Sequence, residues 1–276
     1  MNMTRREALQ RLSAGTLLAL GLWPGALRAK ENPVSGSFRF LVANDLHYMT
    51  PECGEWLTGV MKQMKSHDAE FLIAAGDLTE YGKREHLQAV RKIFKGLGIP
   101  FYVQIGNHDY LTQTTDRRGY EKTFPKSINY YFMHRGWQFV GLDTSEGRLW
   151  EKTQIQSDTF AWVNENLRKL DKKAPLAIFT HFPLGPGVTY RPGNADVLLE
   201  MFREHNLQAV LSGHWHGFTE KHLGKICFTT NACCALKRGN HDRTKKKGYF
   251  LCTARDGDFT RIFVECQMPR ESQSSS

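Results

Sequence analysis

The chain has 276 residues, 41% of them hydrophobic, with 37 Lys and Arg against 28 Asp and Glu for a formal charge of +9. That length supports one large domain with a complete core, and no break in composition argues for two. The positive balance suits a small anionic substrate but does not establish nucleic-acid binding, because basic residues are spread along the chain and the one tight run, Arg243 to Lys247, reads as a solvated loop, so nucleic acid is not an expected partner.

Residues 1–29 read as an export signal. Thr4-Arg5-Arg6-Glu7-Ala8-Leu9 precedes an apolar stretch from Leu12 to Trp23 that is too short and too interrupted by glycine to span a membrane. The arginine pair resembles a twin-arginine signal, so the twin-arginine export machinery is an expected partner and the mature chain is expected in the periplasm or outside the cell. The expected cut follows Ala29, with Ala26 as the alternative. Residues 30–270 then form a single domain with no membrane span, and residues 271–276 a polar, disordered tail. All six cysteines (Cys53, Cys227, Cys233, Cys234, Cys252 and Cys266) fall in the mature part, without a CxxC spacing for zinc. Cys227, Cys252 and Cys266 read as buried thiols on C-terminal strands.

Downstream, Phe38 to Ala43 is a short apolar run of the kind buried on both faces of a sheet. A helix from Glu55 to His67, a strand from Phe71 to Ala75, a helix from Lys83 to Gly96 and a strand from Phe101 to Ile105 follow. This β-α-β-α-β alternation predicts a parallel sheet with helices outside it. Leu111 to Asn129 reads as a polar loop. Asn129 to His134 and Gln138 to Asp143 resemble an antiparallel pair turned at Arg135-Gly136. Next come a helix from Ser157 to Leu170, a strand from Leu176 to Thr180, a Gly- and Pro-rich loop, a helix from Ala195 to His205 and a strand from Ala209 to Leu211. The last four strands, Phe218 to His222, Lys225 to Thr229, Tyr249 to Ala254 and Thr260 to Val264, have no helices between them and imply a second sheet.

Five polar groups close apolar runs: Asp45-Leu46-His47, Gly76-Asp77, Gly106-Asn107-His108-Asp109, His181, and Gly213-His214-Trp215-His216. In an open α/β sheet the strand C-termini line one crevice, so these groups converge. Imidazoles with a carboxylate and a neutral amide oxygen suit Mn, Fe or Zn better than Mg or Ca. Alternate residues of an extended segment share a side, so Asp45 with His47 can meet one metal, while His214 and His216 can divide between two. Gly-Asn-His-Asp is the most specific of the groups, because Asn rarely ends a strand unless its oxygen has something to meet. A second Gly-Asn-His-Asp, at Gly239 to Asp242, follows no apolar run and reads as a surface loop.

The order D-x-H, G-D, G-N-H-D, H, G-H-x-H resembles that of the calcineurin-like metallophosphoesterase superfamily across nearly the whole mature chain. Leu142-Asp143-Thr144, Gln156 to Leu167 and Gly248-Tyr249-Phe250 are similar to the branch that includes cyclic-nucleotide phosphodiesterases. The resemblance implies an α/β fold, a four-layer α-β-β-α sandwich of two mixed sheets. It implies two divalent or mixed-valence transition metal ions, one bound by Asp45, His47, Asp77 and His216, the other by Asp77, Asn107, His181 and His214. It implies a hydrolase of small phosphate esters, more a diesterase than a monoesterase, with a metal-bridging hydroxide as nucleophile. His108 is left to act on the leaving oxygen, and Asp109 either orients its ring or caps a loop. Asn231, Arg238 and His241 border the expected site. The purple-acid-phosphatase pattern does not match, since Glu80 stands where that group carries Tyr. A non-catalytic module of the same fold is the alternative of another class, against which stands the full set of seven expected ligands.

Overall fold

The first strand dictates the layering. In β1 (Ser37–Ala43) successive side chains point to opposite faces. Phe38, Phe40 and Val42 enter one apolar cluster, and Leu41 and Ala43 enter another. A strand that is apolar on both faces must be covered on both, here by a second sheet on one side and by helices on the other.

The computed structural model describes residues 36–112 and 114–268, which fall in one compact unit; the expected export signal and polar tail lie outside the described residues. The first sheet has the order β11-β10-β1-β2-β3, with β2 (Leu72–Ala75), β3 (Phe101–Gln104), β10 (Gly248–Arg255) and β11 (Asp258–Glu265). Strands β1, β2 and β3 run parallel, while β10 and β11 join antiparallel. The second sheet has the order β4-β5-β6-β7-β9-β8, with β4 (Tyr130–His134), β5 (Trp137–Leu142), β6 (Leu176–Thr180), β7 (Leu207–Ser212), β8 (Thr219–Leu223) and β9 (Ile226–Thr230). Its four inner strands are parallel, and each edge strand is antiparallel to its neighbour.

Between the sheets lies an aromatic core in which Phe40 stacks on Phe71 at 4.9 Å and meets Phe139 edge-on at 5.3 Å. Each fully buried Phe contributes about 1.5–3 kcal/mol. Helices α1 (Pro51–Met64), α2 (Arg84–Lys95) and α3 (Arg118–Thr123) cover the first sheet; α4 (Ser157–Asn166) and α5 (Ala195–Met201) cover the second. The four layers expected from the resemblance are therefore present.

Four expectations about elements are corrected. Helix α1 starts one turn earlier than its apolar spacing suggests, because Pro51, whose missing N–H is no loss in a first turn, begins it. The polar stretch after Leu111 contains α3, anchored by buried Tyr120 and Thr123. Helix α5 ends at Met201, since the chain must turn to enter β7 at Leu207. The four C-terminal strands do not build a sheet of their own: β8 and β9 extend the second sheet, whereas β10 and β11 extend the first. Each hairpin covers a strand edge that would otherwise leave its backbone groups unpaired. All six cysteines are buried and free.

Candidate metal centre

The five polar groups meet at the strand C-termini, but left-handed backbone rather than strand alternation brings them together. Twelve non-glycine residues among those described have positive φ, and five of them are Asp45, His47, Asp77, His214 and His216. Asp and His tolerate this region better than most residues, yet each such turn stores about 1 kcal/mol or more that the surrounding structure must offset. Cross-loop bonds do so. The amides of Leu46 and His47 both donate to the Asp77 carbonyl at 2.9 and 3.0 Å, His214 N donates to Asp45 Oδ2 at 2.9 Å, and His108 N donates to Asp77 Oδ1 at 2.8 Å.

Two glycines are required by close approach. A Cβ on Gly76 would lie 2.4 Å from His181 Nδ1, and one on Gly106 would lie 2.2 Å from Asp77 Oδ1. The Gly in each motif is there to let a functional side chain through.

The expected ligands form two clusters that share Asp77. Asp45, His47, Asp77 and His216 make the first, and Asp77, His181 and His214 the second. His216 Nε2 is 3.0 Å from Asp45 Oδ1 and 3.1 Å from His47 Nε2. His181 Nε2 is 3.3 Å from Asp77 Oδ1, 3.1 Å from Asn107 Oδ1 and 3.2 Å from His214 Nδ1. His214 and His216 thus fall in different clusters.

The backbone partners set the imidazole tautomers. His181 Nδ1 donates to the Ala75 carbonyl at 3.0 Å, His216 Nδ1 to that of Gly239 at 3.0 Å, and His214 Nε2 to that of Trp150 at 2.8 Å. In the neutral rings the opposite nitrogens are bare lone pairs, and these face one another and the carboxylates at about van der Waals contact or closer. Buried lone pairs opposed in this way repel unless positive charge lies between them. The residues therefore fit cations, and the mixture of nitrogen, carboxylate and amide donors fits transition metals.

Without cations, protons take on that role. Burial opposes charge on His181, but Asp77 and Asp45 outweigh it and raise the ring to about 9. His216 is raised well above its ordinary value, with burial again overcome by Asp45. Burial drives His47 down to about 4 and His214 down to about 3. For Asp45 and Asp77 burial favours the neutral acid, but the neighbouring imidazoles win and hold both carboxyls below the usual range.

The centre opens into a cleft of about 340 Å³ lined also by His108, Arg148, Trp150, Tyr190, Arg238 and His241. Glu80 ties this wall together. Its carboxylate lies 2.9 Å from His47 Nδ1 and receives Arg238 through two bonds of 3.0 and 2.7 Å, while its carbonyl accepts His108 Nδ1 at 3.0 Å. Glu80 belongs to no motif in the sequence; its place three residues after Asp77 is the only local signal of its role. Arg148, Trp150 and Tyr190 were missed because they sit in loops with no pattern of their own.

Among the described residues the His108 ring hydrogen-bonds the Glu80 carbonyl, not Asp109. The Asp109 carboxylate accepts the amides of Leu78, Thr79 and Gly106 at 2.9–3.1 Å, so of the two roles expected for it the geometry fits the loop cap. Of the residues expected to border the site, Arg238 and His241 line the cleft, while the buried side chain of Asn231 meets no partner among the described residues.

The chain belongs to the calcineurin-like phosphoesterase family, whose model matches residues 38–218. A protein from Synechococcus, described as a probable cyclic nucleotide phosphodiesterase, is 25% identical over 162 residues, covering 57% of this chain and 62% of the relative. One from Arcobacter nitrofigilis, described as a probable glycerophosphodiester phosphodiesterase, is 25% identical over 177 residues, covering 59% of this chain and 62% of the relative. The matched region therefore spans about three fifths of these relatives. A dimetal phosphatase from Danio rerio superposes with a TM-score of 0.62 at 13% identity, covering 83% of this chain and 99% of that one, and shares the fold. Among the described residues no helix is long and apolar enough to cross a membrane.

Proposed function

We propose that the chain hydrolyses small phosphate esters, diesters in preference to monoesters, on a pair of transition-metal ions (Mn, Fe or Zn). In this reading Asp45, His47, Asp77 and His216 hold one ion, and Asp77, Asn107, His181 and His214 the other. One observation carries it: imidazole nitrogens whose tautomers are fixed by backbone carbonyls present bare lone pairs to one another around a shared carboxylate. Bound there, two cations lower the pKa of water toward neutrality and offset charge on the phosphoryl oxygens.

The remaining steps fall to the chain. His108 is one fifth exposed, with its Nδ1 proton directed to the Glu80 carbonyl and Nε2 toward the cleft. Burial would lower its pKa, but Asp77 and Glu80 outweigh it and raise it above the ordinary histidine value, which favours the protonated ring. It then gives the Nε2 proton to the departing oxygen. The left-handed turns and the Asp109 brace hold the donors so that little reorganisation is needed on binding. Support for diesters comes from the descriptions of both relatives, and Arg148 on the cleft wall suits an anionic ester.

Purified protein is to be analysed for metal and assayed with added Mn on bis(4-nitrophenyl) phosphate and 4-nitrophenyl phosphate. Turnover of the diester above the monoester is expected. Turnover of neither ends the hydrolytic reading, and absence of bound transition metal would favour a non-catalytic module. Export through the twin-arginine route is a separate proposal, checked by whether the protein still reaches the periplasm in cells lacking that translocase.

A further inference from the structure

The cleft holds a positive charge that the chemistry above leaves unused. Arg148, in the loop between β5 and α4, is half-buried, and its Nη1 donates to the carbonyls of Glu80 and His108, each at 3.1 Å. Among the described residues no carboxylate forms an ion pair with it. Arg238, on the other side of the same pair of residues, is neutralised by the Glu80 carboxylate while its Nη2 lies 3.4 Å from His108 Nε2. Two guanidinium groups therefore bracket Glu80 and His108, one through their backbone and one through their side chains, and only one carboxylate answers them.

The remaining acids of the centre do not compensate on this wall. Asp45 and Asp77 are at most 1% exposed and turned toward the imidazoles. The wall beside His108 thus presents net positive charge on the side where, in the hydrolytic reading, the alcohol departs. The same loop brings Trp150, whose ring stands edge-on to Tyr190 at 5.6 Å and whose carbonyl fixes His214. A flat apolar surface and a free cation are therefore carried by one segment. With Nη1 engaged by carbonyls, the rest of the guanidinium fork is available, and its planar donors match a carboxylate or phosphate better than a neutral group.

We propose that Arg148 forms an anion subsite and that the favoured esters carry a second negative charge, a carboxylate or a further phosphate, on the alcohol that departs. The word ester rests on the hydrolytic reading, whereas recognition of the charge does not require turnover. Arg148 acts here as a specificity-determining residue; cationic alcohols such as choline are repelled by the same wall.

The test uses the full metal-loaded protein and two inert probes of nearly the same shape, 4-carboxyphenylphosphonate and 4-carbamoylphenylphosphonate, titrated calorimetrically. They differ by one charge. The wild type is expected to bind the carboxylate probe on the order of tenfold more tightly, as a charge-assisted bond in a partly dry site allows. Arg148→Ala brings the ratio of the two affinities close to one, and Arg148→Lys restores a preference. A loop merely loosened by the substitution weakens both probes together and leaves the ratio standing, which would overturn the proposal, as would a ratio near one in the wild type. If Arg148→Ala binds neither probe, Arg148→Gln, which keeps donors for the two carbonyls, decides by the same ratio. Binding with the expected ratio but without turnover of bis(4-nitrophenyl) phosphate leaves the subsite in place and removes the hydrolytic reading alone.

Discussion

The tetrapeptide Gly-Asn-His-Asp occurs twice, at Gly106–Asp109 and at Gly239–Asp242, and its two copies have different fates. The first leaves the end of β3, and a side chain on Gly106 would collide with Asp77; a Cβ on Gly239 would meet nothing within 4 Å. The Asn107 amide oxygen points at His181, whereas the Asn240 amide is fully engaged with the backbone of Cys233, Thr244 and Lys246. His108 faces the cleft with its Nδ1 held by Glu80, while His241 lies flat against His216 at 4.8 Å. The lesson is that chemistry comes from where a motif leaves the sheet. The same four residues on a loop become a brace and a lining.

The comparison can be broken most sharply at Asp77, the carboxylate against which only the first copy packs. Asp77→Ala is expected to abolish phosphoesterase activity and remove much of the metal, because one side chain serves both clusters. Metal analysis beside the diester assay checks both parts. Next in size is the contrast between the two histidines. His108→Ala should keep its metal and lose rate by roughly 10²–10⁴, the contribution typical of a general acid. His241→Ala should lose less than about tenfold, since a lining ring contributes through binding rather than proton transfer. Equal losses in the two variants would show that the copies do not differ in role.

How much of this could be read beforehand follows from which forces are local. The apolar runs of β1, β2, β3 and β6 declare themselves, because strands buried on both faces have no polar positions. The convergence of Asp45, Asp77, Asn107, His181 and His216 was legible for the same reason, since each follows such a run. What could not be read was the way they converge. Spacing of two suggested extended segments, yet Asp45 and His47, like His214 and His216, sit in left-handed turns that only cross-loop bonds make tolerable. Nor could the joining of β10 and β11 to the first sheet be read, because strand partners are chosen by which edges are open in three dimensions. Glu80 and Arg148 lie in the same blind spot. Their roles depend on contacts across 28 and 40 residues of sequence with His108.

The two aspartates of the repeated motif sharpen the contrast through pH. Burial, reinforced by the charge of Asp77, pushes Asp109 up to about 7 in the metal-free protein, against three backbone donors that favour the anion. For Asp242 burial also favours the neutral acid, but its bonds from Thr244 and Phe218 outweigh it and hold the group below its ordinary value. The signs are opposite. Native protein binds the Asp109 proton more tightly than unfolded chain does, so that contribution is complete below about pH 4 and is lost as pH rises through 7, by up to about 4 kcal/mol. The Asp242 contribution is present above its ordinary pKa and lost on acidification. Urea midpoints of metal-free wild type and Asp109→Asn across pH 4 to 8 check this: the wild type should lose stability relative to the variant as pH rises. Bound cations cancel the Asp77 charge and should flatten the slope, and a slope of the opposite sign would refute the assignment.

The smallest effect separates the two asparagines. Asn240→Ala strips partners from the Cys233 amide and from the carbonyls of Thr244 and Lys246, all within 3.0 Å, in a position only 9% exposed. Leaving such groups unpaired costs about 1–3 kcal/mol, read as a lower urea midpoint, and the variant should keep its metal. Asn107→Ala removes a single acceptor beside His181 and should cost the metal-free protein less than about 1 kcal/mol while lowering its affinity for metal on the order of tenfold or more. The two variants therefore exchange rank between a denaturation curve and a metal titration. If Asn107→Ala proved the more destabilising in metal-free protein, the first copy would be a structural brace like the second, and the difference between a strand end and a loop would have to be sought elsewhere.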